Sequence, residues 1–224
     1  DVPVKLNVND VGISSGIRRV EYWVCSDDEE TQREILYEAK SNAPSAGDLQ
    51  MTFEKEVSIS AAKNDSDKVV LYVEAVDYAG NVFKEQTEEI KIGATKPKIF
   101  LSYDKNTCLM GENGRGYFRE NRTAVIQIQE RSSTFDAESA AAGISISAWD
   151  AQGNEIPLDL GQMISNWETE EGAEAAAATH TARIVFDTDA NYQVEVTYTN
   201  YAGNTAERPD TGDSTAPFSF TVDK

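Results

Sequence analysis

The peptide VEAVDYAGNV at residues 73–82 returns 123 residues later as VTYTNYAGNT, residues 196–205. The shared core is Tyr-Ala-Gly-Asn, preceded by Asp77 in one copy and Asn200 in the other. Each copy follows an alternating apolar run: Leu71, Val73 and Ala75 in the first, Val194, Val196 and Tyr198 in the second. Alternation with a period of two that stops at Asx-x-Ala-Gly-Asn predicts a strand running into a tight turn. The Asx side chain is expected to bond to the backbone two residues on, and Gly supplies the positive φ that other residues resist. A strand and turn that occur twice in 224 residues predict two related β domains.

The flanking sequence reads the same way. Val2, Val4, Leu6 and Val8 alternate with polar residues, and Asp10 begins a loop. In residues 17–25, Val20, Tyr22 and Val24 share one face, while Arg19, Glu21, Trp23 and Cys25 take the other, as in a half-buried antiparallel strand. Residues 26–32 form a turn, 34–40 a partner strand, and 51–60 a strand carrying Phe53, Val57 and Ile59. Ile90 and Ile92 mark the last strand. No helix is expected in this half.

GATKP, residues 93–97, is read as a linker between a domain spanning residues 1–93 and one spanning 94–224. The second opens with KIFLSY at residues 98–103. Ala124, Ile126 and Ile128 then alternate before Glu130, matching Val4, Leu6, Val8 and Asp10 at an offset of 120. Nothing upstream of Val2 matches KIFLSY, so the first domain is expected to begin at its second strand. Ile144 and Ile146 belong to another strand, and AQGNE at 151–155 to a hairpin turn. An Ala/Glu-rich insertion near 158–179 has no counterpart in the first domain and is expected to be a loop, because an isolated helix of that length is marginal in water. Ala182, Ile184 and Phe186 point inward from a strand at 180–188, and Phe218, Phe220 and Val222 close the sheet. The fold class expected is all-β.

Charge narrows the partners. The chain carries 20 basic and 39 acidic residues, formally −19. The excess is even, with ten basic against nineteen acidic residues up to Gly93 and ten against twenty beyond it. Such a surface repels nucleic acid and anionic membrane, and no apolar run is long enough to span a bilayer. Cys25 and Cys108 fall one in each domain, at no disulfide-framework or metal-ligand spacing, and are expected to be unpaired thiols.

Few residues are candidates for chemistry. His180 is the lone histidine, on the same side of its strand as Ala182 and Ile184, where a core-edge role with a backbone partner is expected. Carboxylates fall in turns or on outward faces, and nucleophile-elbow, phosphate-loop and zinc motifs are missing. No catalytic residue, metal ligand or cofactor is assigned. Asp10, Asp77, Asn81 and Asp104 sit at strand ends, where the local turn bonds that Asx residues make are expected rather than calcium ligation. Trp23 is the most plausibly outward aromatic, with packing the favoured alternative. Trp149 and Trp167 fall near loops.

Tyr192, followed by Val194, Val196, Tyr198 and Asn200, resembles the penultimate strand of immunoglobulin-like and fibronectin type III domains. The resemblance implies that Tyr192 is a corner tyrosine bonded back to the chain, with Val69 at the matching place in the first domain. SGIRRVEYWV, YFRENRTAVIQIQE and the two Asx-x-Ala-Gly-Asn turns are similar to tandem immunoglobulin-like modules of Gram-positive surface and secreted proteins. It implies two tandem immunoglobulin-like β-sandwiches, extracellular, without enzymatic activity, cut as a monomeric fragment from a longer multidomain array. Their role would be a structural spacer or an adhesive part of a bacterial cell-surface protein, with a protein or glycan of the host or cell surface as the unknown ligand. The alternative is a carbohydrate-binding accessory of a secreted glycan-degrading enzyme, which predicts coplanar exposed aromatics.

Overall fold

The computed structural model describes residues 1–11, 14–41, 45, 49–172, 178–212 and 214–224. It divides into two compact units, Asp1–Ala94 and Thr95–Lys224, both mostly β.

Unit 1 contains β1 (Val2–Asn9), β2 (Ile17–Ser26), β3 (Glu29–Glu30), β4 (Glu34–Glu38), β5 (Thr52–Ile59), β6 (Ser66–Asp77), β7 (Val82–Gln86) and β8 (Ile90–Ile92). β1 and β5 form a two-stranded antiparallel sheet with Leu6 opposite Lys55. The second sheet runs β3-β2-β6-β7, with β4 also pairing β2 and β8 also pairing β6. Both sheets send residues into one buried cluster, Leu6, Val57 and Ile59 from the first and Val24, Val69, Leu71 and Ile92 from the second. The period-two pattern therefore selects the inward rows as expected, and Val69 becomes a core residue. Two strands follow the turn where one was expected, because β7 and β8 pair with different stretches of β6.

Unit 2 contains β9 (Lys98–Tyr103), β10 (Leu109–Met110), β11 (Gly116–Phe118), β12 (Arg122–Glu130), α1 (Ala137–Ala142), β13 (Ile144–Trp149), α2 (Leu160–Met163), β14 (Glu168–Glu170), β15 (Ala178–Phe186), β16 (Ala190–Val196) and β17 (Ser219–Val222). One sheet is ordered β14-β15-β12-β9, the other β10-β11-β17-β16-β13. Ile126, Ile184, Phe186, Tyr192, Val194 and Phe220, drawn from both sheets, are all fully buried in one cluster.

Two expectations are corrected here. α1 is a helix that strand periodicity did not reveal. Its N-cap Asp136 accepts from the Glu138 and Ser139 N–H groups, so the cap supplies what six residues of propensity do not. The insertion near 158–179 is not a plain loop. It holds the single turn α2, capped by Asp159, and β14, which extends the sheet by pairing Thr169 with His180. Leu158, Leu160, Met163, Ile164 and Trp167 anchor it on the core. Its residues 173–177, most of the alanine-rich run, lie outside the described residues.

The organising turn is the same object twice. Asp77 N–H donates to Asn81 O at 3.1 Å, and Asn200 N–H donates to Asn204 O at 3.1 Å. The Asp77 carboxylate accepts from Asn81 N at 2.7 Å, and the Asn200 amide oxygen from Asn204 N at 3.0 Å. The bond therefore spans four residues rather than two. Gly80 and Gly203 sit at φ 89° and 80°, the left-handed region that a Cβ disfavours. Tyr78 N–H then docks on Gly16 O, and Tyr201 N–H on Thr134 O. A third copy closes the hairpin at Asp150–Asn154, where Asp150 accepts from Asn154 N at 2.8 Å and Gly153 has φ 85°.

Candidate functional site

β12 places Arg122, Ala124, Ile126, Ile128 and Glu130 on one inward row, so a charge stands at each end of an apolar stripe. At one end, Glu130 is buried and accepts three hydrogen bonds: from the Tyr198 hydroxyl, from Asn200 Nδ2 at 2.8 Å and from Thr134 Oγ1 at 2.8 Å. Tyr198 Oη in turn accepts from Asp136 N at 2.9 Å, tying the α1 cap to the same hub. Burial, and then the bond to Glu130, push the Tyr198 hydroxyl's pKa well above its ordinary value. The hub holds β12, α1 and the second organising turn together.

His180 lies nearby, opposite Ile128 on β15, and is buried. Its Nδ1 meets Thr169 Oγ1 at 2.8 Å, so the partner is a side chain on β14 and not the backbone group expected. Its ring stacks on Phe135 with centroids 3.7 Å apart, and Nε2 has no hydrogen-bond partner. Burial holds its pKa below the ordinary histidine value, while Glu130 and Glu171 push weakly the other way. A neutral, stacked imidazole without a facing nucleophile is a packing group.

At the other end of the row, Arg122 is fully buried. Its guanidinium donates to Lys105 O at 3.0 Å, Thr215 O at 2.8 Å and Ala216 O at 3.0 Å. Tyr103, Phe118 and Phe220 surround it, with centroids 3.6, 4.0 and 4.5 Å from Cζ. Burial pushes its pKa down to about 10. Arg122 thus clamps two distant loops to the start of β12. Sequence reasoning missed both charges, although they share the even-numbered phase of Ala124, Ile126 and Ile128.

Tyr192 Oη donates to Thr188 O at 2.8 Å, the bond back to the preceding corner that its position implied. In unit 1 the outer face of β2 and β6 carries a charged cover. Glu21 is buried between Arg19 and Arg33, and Glu74 accepts from Lys84 at 2.8 Å and Arg33 at 3.3 Å. Trp23 lies beneath, stacked on Tyr72 at 5.3 Å with the Arg33 guanidinium 3.8 Å over its ring. It is neither outward nor part of an apolar cluster. The guanidinium occupies the ring face that a sugar would use. Trp149 is half-buried at the end of β13, and Trp167 packs edge-on against Phe135.

Of the calcium candidates, Asp10, Asp77 and Asn81 line one concavity of unit 1, and Asp104 lies in unit 2. Asp10 accepts from Gly16 N, Asp77 from Asn81, and Asp104 from Thr123 N at 2.8 Å, each doing local turn work. Among the described residues no three metal-ligating side chains converge. Cys25 and Cys108 are free, half-buried thiols.

A groove of about 390 Å³ remains in unit 1, between β1 and β7. Its floor includes Ile17 and Ala75, its walls Val8 and Phe83, and its end Asp10 and Asp77. Phe83 is 58% exposed, unusual for an aromatic over a core. This concave apolar strip beside two strand edges is the candidate binding site.

No protein-family profile and no curated protein matches the chain. Among solved structures, it is similar to the C-terminal domain of the Streptococcus pyogenes antigen I/II-family protein AspA, at 10% identity and a TM-score of 0.22. That match covers 78% of this chain and 60% of the AspA chain, a likeness too weak to assign this chain to a family.

Proposed function

We propose that the chain is a non-catalytic pair of immunoglobulin-like β-sandwich modules, outside the cell, serving as a structural spacer or adhesive part of a larger bacterial surface protein. One observation carries this reading: apart from His180, the buried polar side chains described in unit 2 are committed to holding loops onto strands. Glu130, Tyr198 and Asn200 fasten one end, Arg122 the other, and Tyr192 the corner. A group spent on three structural bonds is not free to exchange protons or bind substrate. Such clamps suit a module that must keep its shape. Its ligand, where it has one, would be a protein or glycan of the host or cell surface.

The test is a host-matrix protein panel run beside a glycan array, with the full chain as probe. Matrix binding identifies the adhesive role, and silence on both, with unfolding only at high pulling force, identifies the spacer. Binding confined to glycans that belong neither to a host nor to a cell surface, or hydrolytic turnover of any glycan, refutes the proposal.

A further inference from the structure

Residues 158–170 form a flap along the β15 edge of unit 2. Leu158, Leu160, Met163, Ile164 and Trp167 pack against the core while staying only partly buried. The backbone is fastened lightly: Ile164 bridges Ile184, Ser165 N–H donates to Arg183 O at 2.9 Å, and β14 pairs three residues with β15. β15 also pairs with β12 over nine residues, so the sheet keeps its main pairing without the flap. On the inner side, Trp167 meets Phe135 edge-on, and Phe135 stacks flat on His180.

A polar side-chain bond runs from the flap into this buried interior, between Thr169 Oγ1 and His180 Nδ1 at 2.8 Å. The imidazole is 1% exposed, and its Nε2 has no hydrogen-bond partner. A neutral ring tolerates this by keeping its proton on Nδ1, toward Thr169, and leaving Nε2 bare. An imidazolium must carry a proton on both nitrogens, so Nε2 would become a charged donor facing no acceptor.

The charged groups around the ring supply none. Glu130, on β12, has its oxygens taken by Tyr198, Asn200 and Thr134. Tyr198, across Phe135, is spent on that same carboxylate. Asp136 caps α1. Glu168 and Glu170 stand opposite Thr181 and Thr179, on the exposed side of β14, and Glu171 is exposed and accepts from Ser132 Oγ at 2.6 Å. The Phe135 ring face and the nearby carboxylates favour the cation, but burial opposes it more strongly, and the balance lies below the ordinary histidine value.

We propose that residues 158–170 are an acid-released flap, latched at neutral pH by the Thr169–His180 bond. A group that binds its proton more weakly in the closed form than in the open one drives opening as pH falls. Opening gives Nε2–H to water, lifts β14 from β15, and uncovers Phe135, Trp167 and a strand edge. The chain thereby gains, in mild acid alone, an aromatic patch and a row of unpaired backbone groups of the kind that partners engage.

The experiment uses the full chain. His180 is its single histidine, so one imidazole signal reports the latch by NMR, while amide hydrogen exchange, corrected for intrinsic rates, reports the flap. Between about pH 7.5 and about pH 5.5 the amides of residues 164–170 should lose protection about five- to tenfold, as a single proton on a group of open-form pKa about 6.5 allows. Protection of β12 and β16 should not change, and the imidazole should titrate below about 6.5. His180→Gln, which can still bond to Thr169 but takes no proton, should abolish the response. Glu171→Gln should retain it. Thr169→Val, an exposed change, should raise flap exchange already at about pH 7.5 while β12 stays protected. A flap indifferent to pH, a response that survives His180→Gln or vanishes in Glu171→Gln, or an equal loss in β12 and β16 overturns the proposal. So does a flap that Thr169→Val leaves fully protected. The spacer-or-adhesin reading does not involve the flap and survives either result.

Discussion

Arg122→Met tests the central claim that buried charges in unit 2 act as clamps. Methionine keeps the apolar stem in place but leaves the carbonyls of Lys105, Thr215 and Ala216 without their donor. Hydrogen bonds to a charged group contribute about 1.5–3 kcal/mol each, so three give a gross loss of roughly 5–9 kcal/mol. The loss of the guanidinium from three ring faces adds about 2 kcal/mol. Against this stands relief from burying a cation that has no carboxylate partner, the cost that its lowered pKa of about 10 records. Carbonyls on mobile-capable loop backbone also recover some water. The net expectation is about 3–5 kcal/mol of destabilisation, confined to unit 2. For a unit of this size that is roughly 10–20 °C in Tm. Guanidinium unfolding, followed by hydrogen exchange on β12 and β17 for unit 2 and on β2 and β6 for unit 1, measures it. Arg122→Lys should lose nearly as much, because one ammonium does not reproduce a planar fork aimed at three acceptors. A loss below about 1 kcal/mol, full rescue by lysine, or an equal fall in both units would refute the clamp.

Four further outcomes follow from the same geometry. Asn200→Asp would set a second carboxylate where Asn200 Nδ2 now donates to Glu130 at 2.8 Å, and should cost unit 2 roughly 2–4 kcal/mol at neutral pH. Asp77→Asn in the sibling turn should stay within about 1 kcal/mol, because its carboxylate faces only neutral groups, Asn81, the Ser15 hydroxyl and local backbone. Equal effects at the two sites, read from denaturation midpoints, would show that the hub does not set the residue type. Tyr192→Phe removes the bond to Thr188 O and should cost about 1–2 kcal/mol, with an unchanged midpoint as the refuting result. Burial lowers the His180 pKa in the folded state, so the unfolded chain takes up the proton first. Unit 2 stability should therefore fall as pH drops below about 6.5, and His180→Gln should flatten that slope. A slope identical in the variant would assign the pH dependence to other groups.

The repeated peptide and the alternating rows determined most of the strands and their inward apolar faces, because side-chain period and turn chemistry are local properties. Even Arg122 and Glu130 were legible by phase, although a charge in phase with isoleucines reads as a solvated strand end until its partners are known. Those partners lie far along the chain. Arg122 reaches Thr215 and Ala216, and Glu130 reaches Tyr198 and Asn200. The same distance hid why the twin turns differ: Asp77 meets only neutral groups, Asn81, the Ser15 hydroxyl and local backbone, while Asn200 must offer a donor to Glu130. α1 and β14 were missed because a single capping aspartate and a three-residue edge pairing carry almost no periodic signal. Sequence alone thus identified the apolar rows that face inward. Only the tertiary structure decided which buried charges meet a partner, since those partners arrive from elsewhere in the chain.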